Sequence, residues 1–159
     1  MTFNELLNDL GERLGGQIDL TPDESNTVNL NIDAMSVAIL GLEEIDGVVL
    51  TGVVGEPPPA DKMENLYRAI LMANHNFAGT NGATFSINPE TKEVSICRML
   101  PLSMTDGEKF FAEMEKFINT MELWKKIISD FRGAEINAQG EEVAEANEPT
   151  AGYSNFMQV

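Results

Sequence analysis

The sequence is poor in cysteine, histidine and positive charge. Its 159 residues include one cysteine, one histidine and 10 lysines and arginines, against 26 acidic residues, so that the formal net charge is −16. A single cysteine excludes an intrachain disulfide and favours a reducing compartment. A zinc site needs three or four cysteine or histidine ligands, which the chain does not have. The shortage of positive charge argues against binding nucleic acid or anionic lipid.

Long apolar runs and targeting signals are also missing. No stretch approaches the roughly 20 apolar residues of a membrane span. The N-terminus has no basic segment followed by an apolar one, so we expect no secretory signal and no membrane insertion. The 43% of hydrophobic residues is enough for the core of one domain. We therefore expect a single acidic domain in the cytoplasm.

Composition changes near the C-terminus. Residues 133–159 contain five glutamates, no lysine or arginine, and several glycines and alanines. Because this composition is typical of a disordered segment, we divide the chain into a folded domain, 1–132, and an acidic, disordered tail, 133–159. Four apolar residues at the end of the tail are candidates for a short docking motif, with plain disorder as the alternative: Tyr153, Phe156, Met157 and Val159.

Hydrophobic periodicity predicts three helices and five strands. Helical spacing covers residues 3–14, 62–78 and 106–130, and alternating or β-branched runs cover 28–32, 36–42, 48–54, 83–87 and 94–100. The short turns favour antiparallel pairing. The fold class is thus α+β, in the order α-β-β-β-α-β-β-α, with helices packed on an antiparallel sheet. Strand 48–54 is apolar on both faces, which predicts that both are covered.

Capping signals predict where the three helices begin. Thr2 and Glu5 have the spacing of a capping box, and so do Thr105 and Glu108. Asp61 is a candidate N-cap for the second helix.

No group of residues predicts catalysis. His75 falls between two apolar stripes of a helix, where a surface or boundary position is the simpler interpretation. Cys97 lies in strand 94–100 between Ile96 and Arg98, where a core or sheet-face cysteine is the simpler interpretation. The glycine-containing segments lack the lysine and serine or threonine of a P-loop. A pair of carboxylates remains an alternative, but we expect no enzyme, no metal and no cofactor.

The second helix carries two adjacent apolar stripes. One runs through Leu66, Ile70 and Ala73, and the other through Tyr67 and Leu71. A helix needs one stripe to pack on its own sheet, so the second predicts another covering partner. Nine methionines, which adapt readily to different apolar partners, also favour a binding module over an enzyme.

The order of elements and three local segments resemble a known family. The segments are the first helix with Leu6, Leu7, Leu10, Gly11 and Leu14; Leu66–Asn74 with the glycine-containing loop and strand 82–87; and Leu100-Pro101-Leu102 with the long helix carrying Phe110, Met114, Phe117 and Trp124. Over residues 3–130 the chain resembles the class I type III secretion chaperones, the Tir chaperone (CesT) family. None of the segments is a catalytic signature.

The resemblance implies a homodimer in the bacterial cytoplasm that binds the N-terminal segment of a secreted effector protein. It implies that the effector is kept non-globular, soluble and secretion-competent without ATP, and adds a strand to an exposed sheet edge. It also implies a further partner, the secretion ATPase or the export apparatus. The alternative is the same fold serving as a general interaction or regulatory module outside secretion.

Two sets of residues follow from the resemblance and the apolar stripes together. The effector-binding set is expected to line a groove between the first helix and strand 28–32, and consists of Leu6, Leu10, Leu30, Ile32, Val37 and Ile39. Core packing is the alternative for each of them. The dimer-interface set consists of Tyr67, Leu71, Asn74 and Phe85.

Overall fold

A computed structural model describes residues 1–16, 18–57 and 59–133, and the order of its elements is the predicted one. The helices are α1 (Phe3–Arg13), α2 (Met63–Asn74) and α3 (Gly107–Gly133). The strands are β1 (Thr27–Ile32), β2 (Met35–Leu42), β3 (Gly47–Gly55), β4 (Thr84–Ile87) and β5 (Val94–Pro101). From residue 134 on, the predicted tail lies outside the described residues.

The five strands form one antiparallel sheet in the order β1-β2-β3-β5-β4. The first three strands follow one another as hairpins. The chain then leaves the sheet to form α2, returns at the far side as β4, and inserts β5 between β3 and β4. The strands at the two edges are therefore β1 and β4.

Helices α1 and α3 cover one face of the sheet. The residues of β1, β2, β3 and β5 that point to this face are almost all apolar and buried: Val28, Leu30, Val37, Ile39, Val48, Leu50, Val94 and Ile96. Glycines in β3 allow α3 to approach closely, since a Cβ on Gly55 would lie 2.7 Å from Ile128 and one on Gly52 would overlap Met121. The core of the protein is the layer between these helices and the sheet.

The opposite face of the sheet carries no helix of the described chain. Val53 and Met99 point to this face and are about half-exposed. The prediction that strand 48–54 is covered on both faces is therefore wrong for the single chain, because α1 and α3 pack on the same side. The β-branched residues on the open face reflect strand propensity rather than burial.

One of the three predicted helix starts is confirmed. Thr2 and Glu5 form the capping box, with the Glu5 N–H donating to the Thr2 hydroxyl at 3.2 Å and the Thr2 N–H donating to the Glu5 carboxylate at 2.7 Å. The second helix has Lys62 at its N-cap and no side-chain cap, so Asp61 does not have the predicted role.

The third helix is capped one residue later than predicted. Asp106 accepts the Lys109 N–H at 2.8 Å, which is the bond that an N-cap side chain makes. The Thr105 hydroxyl instead donates to the Pro101 carbonyl at 2.6 Å. The predicted capping box of Thr105 and Glu108 is therefore wrong, because Thr105 ties the preceding turn to the end of β5.

Candidate functional site

The outer edge of β1 presents backbone groups to which no neighbouring strand bonds. The exception is Thr27, the first residue of β1, which forms two hydrogen bonds with Asp23. The Asp23 N–H donates to the Thr27 carbonyl at 2.9 Å, and the Thr27 N–H donates to the Asp23 carboxylate at 3.0 Å. Along an antiparallel edge strand, residues whose backbone N–H and C=O groups bond to the neighbouring strand alternate with residues whose groups point away from it. Asn29 and Asn31 therefore also direct their N–H and C=O groups away from β2.

The free part of the β1 edge is short and well bounded. Asp23 closes it at one end, and its carboxylate also accepts the Ser25 N–H at 2.8 Å. The hairpin turn to Met35 closes the other end. In between, within the described part of the chain, the outward backbone groups of Asn29 and Asn31 bond to nothing. These four groups, which we call the β1 edge, can accept one extended segment.

The opposite edge of the sheet is closed at its centre by a side chain. Asn74, the last residue of α2, accepts the Phe85 N–H at 2.9 Å through Oδ1 and directs Nδ2 at the Phe85 carbonyl at 3.5 Å. Phe85 lies in the middle of the four-residue strand β4. Among the described residues the two edges of the sheet are thus unequal, and β1 has the longer free edge.

The structure packs most of the predicted effector-binding side chains inside the single chain. Five of the six are at most 5% exposed, and the sixth is partly buried; the five are Leu6, Leu10, Leu30, Val37 and Ile39, and the sixth is Ile32. Where we expected an open groove, α1 uses the same stripe to cover the sheet. Direct contact of these side chains with an effector stays a prediction.

A hollow that the sequence analysis missed lies on the outer side of α1. It has a volume of about 650 Å³ and lies between the helix and the segment that follows it, with Leu7, Ile18 and Leu20 among its lining residues. Ile18 is 45% exposed. Residues 15–22 have no periodicity, so no pattern in the sequence indicated that Ile18 and Leu20 would return to α1.

Helix α2 exposes an apolar surface on the side away from the core. Leu71 is 67% exposed, Met72 is 51% exposed and Phe77 is 54% exposed. Leu71 and Met72, together with Tyr67, form what we call the α2 face, which lines a shallow hollow of about 800 Å³. Of the second apolar stripe, Leu71 is exposed within the described residues and Tyr67 is partly buried against the core; a partner that covers this stripe stays a prediction.

The four predicted dimer-interface residues do not share one surface. Tyr67 and Leu71 lie on the α2 face. Phe85 is only 6% exposed, and its ring meets that of Trp124 edge-on with a centroid distance of 4.6 Å. Asn74 bonds to the backbone of Phe85. The side chain of Phe85 therefore belongs to the core, because the indole of Trp124 covers it within the same chain.

Among the described residues, Cys97 and Glu113 have shifted pKa values with identifiable causes. Within these ranges no three histidine, cysteine or carboxylate side chains come together in a way that could bind a metal ion. Burial raises the pKa of the Cys97 thiol, which makes it less reactive. A hydrogen bond from Lys116, helped by Arg98, lowers the pKa of Glu113, and this ion-pair cluster links β5 to α3. Among the described residues there is no helix that could serve as a membrane span.

Comparison with solved structures shows a shared fold. One chain in the crystal structure of the ExsC–ExsE complex is 20% identical to this protein. The two superpose with a TM-score of 0.69 over 80% of this chain and 97% of the other chain. The Yersinia pestis type III secretion chaperone SycH, in complex with a stable fragment of YscM2, is 17% identical, with a TM-score of 0.61 over 77% and 99%. YbjN of E. coli is 12% identical, with a TM-score of 0.52 over 84% and 90%.

The sequence itself points to one family. No curated protein matches it. The model of the Tir chaperone protein (CesT) family, however, matches residues 5–125, a range that runs from α1 into α3 and includes the whole sheet. Since this match spans most of the chain, the protein belongs to the Tir chaperone protein (CesT) family.

Proposed function

We propose that this chaperone binds the N-terminal segment of a secreted effector protein as an additional strand on the β1 edge. The observation that supports this most directly is the inequality of the two sheet edges. Asn29 and Asn31 leave four backbone groups unbonded within the described chain, whereas Asn74 closes β4. Strand addition uses main-chain hydrogen bonds for affinity, so it suits a client that is held in an extended form.

The position of β1 also determines which side chains of the effector meet the protein. Side chains of an added strand alternate between the two faces of the sheet. Those on one face would lie beside α1, and those on the other beside the open face of the sheet. An effector segment with apolar residues at every second position would extend one of these faces, so we expect that pattern in the client.

The protein is proposed to act as a homodimer through the α2 face. Leu71 and Met72 are exposed apolar residues beside Tyr67 on one helix, and such surfaces mark interaction sites. In a two-fold dimer the same surface of each copy buries the other. A second copy would thus cover the α2 face and leave both β1 edges accessible.

The proposed activity is binding and not catalysis, and it requires no ATP. Family membership supports this. The proposed location is the cytoplasm of a bacterium, where the secretion ATPase or the export apparatus would take over the loaded chaperone. The alternative is an interaction or regulatory module outside secretion, and a fold that is also found in YbjN does not by itself decide between the two.

Hydrogen exchange of backbone amides tests the proposal. Proteins that co-purify with the chaperone from its own cell would be identified, and the N-terminal segment of each would be added to the purified chaperone. We expect slower exchange at Asn29 and Asn31 and little change at Phe85. A segment that binds tightly without slowing exchange at Asn29 and Asn31 would contradict binding at the β1 edge. Partners that are not secreted would favour the alternative function.

A further inference from the structure

The contact between Asn74 and Phe85 imitates a neighbouring strand. A carboxamide offers one acceptor and two donor hydrogens side by side, as the backbone of a strand offers C=O and N–H groups. Asn74 directs both its acceptor and its donor at the backbone of Phe85. Its Oδ1 lies 2.9 Å from the Phe85 nitrogen, and its Nδ2 lies 3.5 Å from the Phe85 carbonyl oxygen. The first bond is strong and the second is long, so the amide nitrogen of Phe85 is the group that is held most firmly.

Both partners of this contact are held in place by the core. The Trp124 indole N–H donates to the Gly79 carbonyl at 2.8 Å, and its ring packs edge-on against Phe85. The Gly79 N–H in turn donates to the Ala73 carbonyl at 3.2 Å, directly before Asn74. The end of α2 and the centre of β4 are therefore fixed to the same indole. The Asn74 carboxamide therefore bonds to β4 at a small cost in conformational entropy.

The contact leaves β4 too little free edge for another strand. The strand has four residues, and by alternation only Phe85 and Ile87 direct backbone groups outward. With Phe85 occupied by Asn74, an incoming strand could bond at Ile87 alone. Short length and coverage by another element are two devices by which proteins protect sheet edges from unwanted pairing, and β4 combines them.

We propose that Asn74 is an edge-blocking residue that closes β4 to strand addition. The closure prevents sheets of different copies from pairing through β4, and, given the proposed function, it restricts an effector segment to the β1 edge of each protomer. Asn74 thereby has a role in specificity that differs from the dimer contact expected from the sequence.

Removal of the carboxamide tests the block without any effector. In Asn74→Ala, we expect the Phe85 amide to exchange at least about tenfold faster than in the wild type, a change that corresponds to about 1.4 kcal/mol. Asn65→Ala, which removes an exposed asparagine from the same helix, is the matched control and should leave that rate unchanged. If Asn74→Ala does not fold, Asn74→Ser, whose hydroxyl is too short to reach Phe85, takes its place.

Light scattering provides the second readout. Asn74→Ala should form larger assemblies than the wild type and Asn65→Ala as the protein concentration rises. Adding Ser86→Lys, which places a charge on the exposed edge strand, should reverse this. An unchanged exchange rate of the Phe85 amide in Asn74→Ala would contradict the hydrogen bond between Asn74 and Phe85. A faster rate without any increase in association would contradict the proposal that Asn74 prevents strand addition at β4. Neither measurement involves an effector, so failure of the proposed function at β1 would leave both results unaffected.

Discussion

The ring of Phe3 in α1 lies directly against Gly41 in β2, and a Cβ on this glycine would be 2.5 Å from the ring. This approach brings α1 down onto the sheet next to β1. Gly41→Ala should therefore lower the free energy of unfolding by about 1–3 kcal/mol, because both the Phe3 ring and the Asn26 carboxamide, which a Cβ would also meet at 2.5 Å, must move away from the strand. Urea denaturation measures this change.

The matched control is Gly11→Ala in the middle of α1. A Cβ on Gly11 would make an ordinary contact with Leu20 at 3.6 Å. Alanine favours a helix interior by roughly 0.5–1 kcal/mol over glycine, so this variant should be as stable as the wild type or more so. Equal destabilisation by the two substitutions would contradict the close packing of Phe3 on Gly41.

Stability should fall in acid partly through Glu113. Its pKa is lowered in the folded protein by the hydrogen bond from Lys116 and by Arg98, so the ionised form binds its partners and the unfolded state takes up a proton first. The stabilisation is thus present above the ordinary pKa of about 4.5 and is lost as the pH falls through the lower folded value.

Comparison of Glu113→Gln with the wild type by urea denaturation at pH 7 and at pH 3.5 tests this. We expect the variant to be less stable at pH 7 and to lose less stability on acidification. Glu115→Gln, at an exposed position of the same helix, is the control and should follow the wild type. A Glu113→Gln variant with the wild-type acid sensitivity would show that another group is responsible.

Asp23 should determine where the β1 edge begins. Asp23→Ala removes the carboxylate acceptor of the Thr27 and Ser25 N–H groups, which should cost about 1–2 kcal/mol of stability and speed amide exchange at Thr27. Asp23→Asn keeps an acceptor oxygen and should lie close to the wild type. Slow exchange at Thr27 in Asp23→Ala would mean that another group bonds to it.

The α2 face should hold the dimer together. Light scattering of the wild type should give about twice 17.4 kDa. Leu71→Asp, or Tyr67→Asp, should give the monomer, because a carboxylate buried in an apolar contact is costly. Asn119→Asp adds the same charge at an exposed position of α3, away from the α2 face, and should stay dimeric. A Leu71→Asp protein that is still a dimer would place the interface elsewhere.

Periodicity predicted the order of elements because α1, the strands and α3 each use one apolar face or stripe for the core. It could not show that α1 would close its own stripe over Leu30 and Ile39, since alternation identifies an apolar face but not what covers it. The closure of β4 by Asn74 could not be predicted from the sequence either. It joins a helix end to a strand eleven residues later through one carboxamide, and such a contact has no period.

The family resemblance was carried by the same apolar spacing, which is why it could be seen without any catalytic motif. The position of the free edge, in contrast, depends on strand order. Consecutive strands predict that β1, β2 and β3 are neighbours, but the insertion of β5 between β3 and β4 follows from tertiary packing alone.

The central claim is that the outward backbone of β1 binds the client, and a single amide tests it most directly. Asn31→Pro removes one outward N–H without affecting the bonds to β2, and proline is tolerated on edge strands. Asn31→Thr changes the same side chain but keeps the N–H. Binding of the N-terminal segment of a co-purifying effector, measured by titration calorimetry, should be at least about tenfold weaker for Asn31→Pro than for Asn31→Thr. Equal affinity of the two folded variants would contradict strand addition at β1.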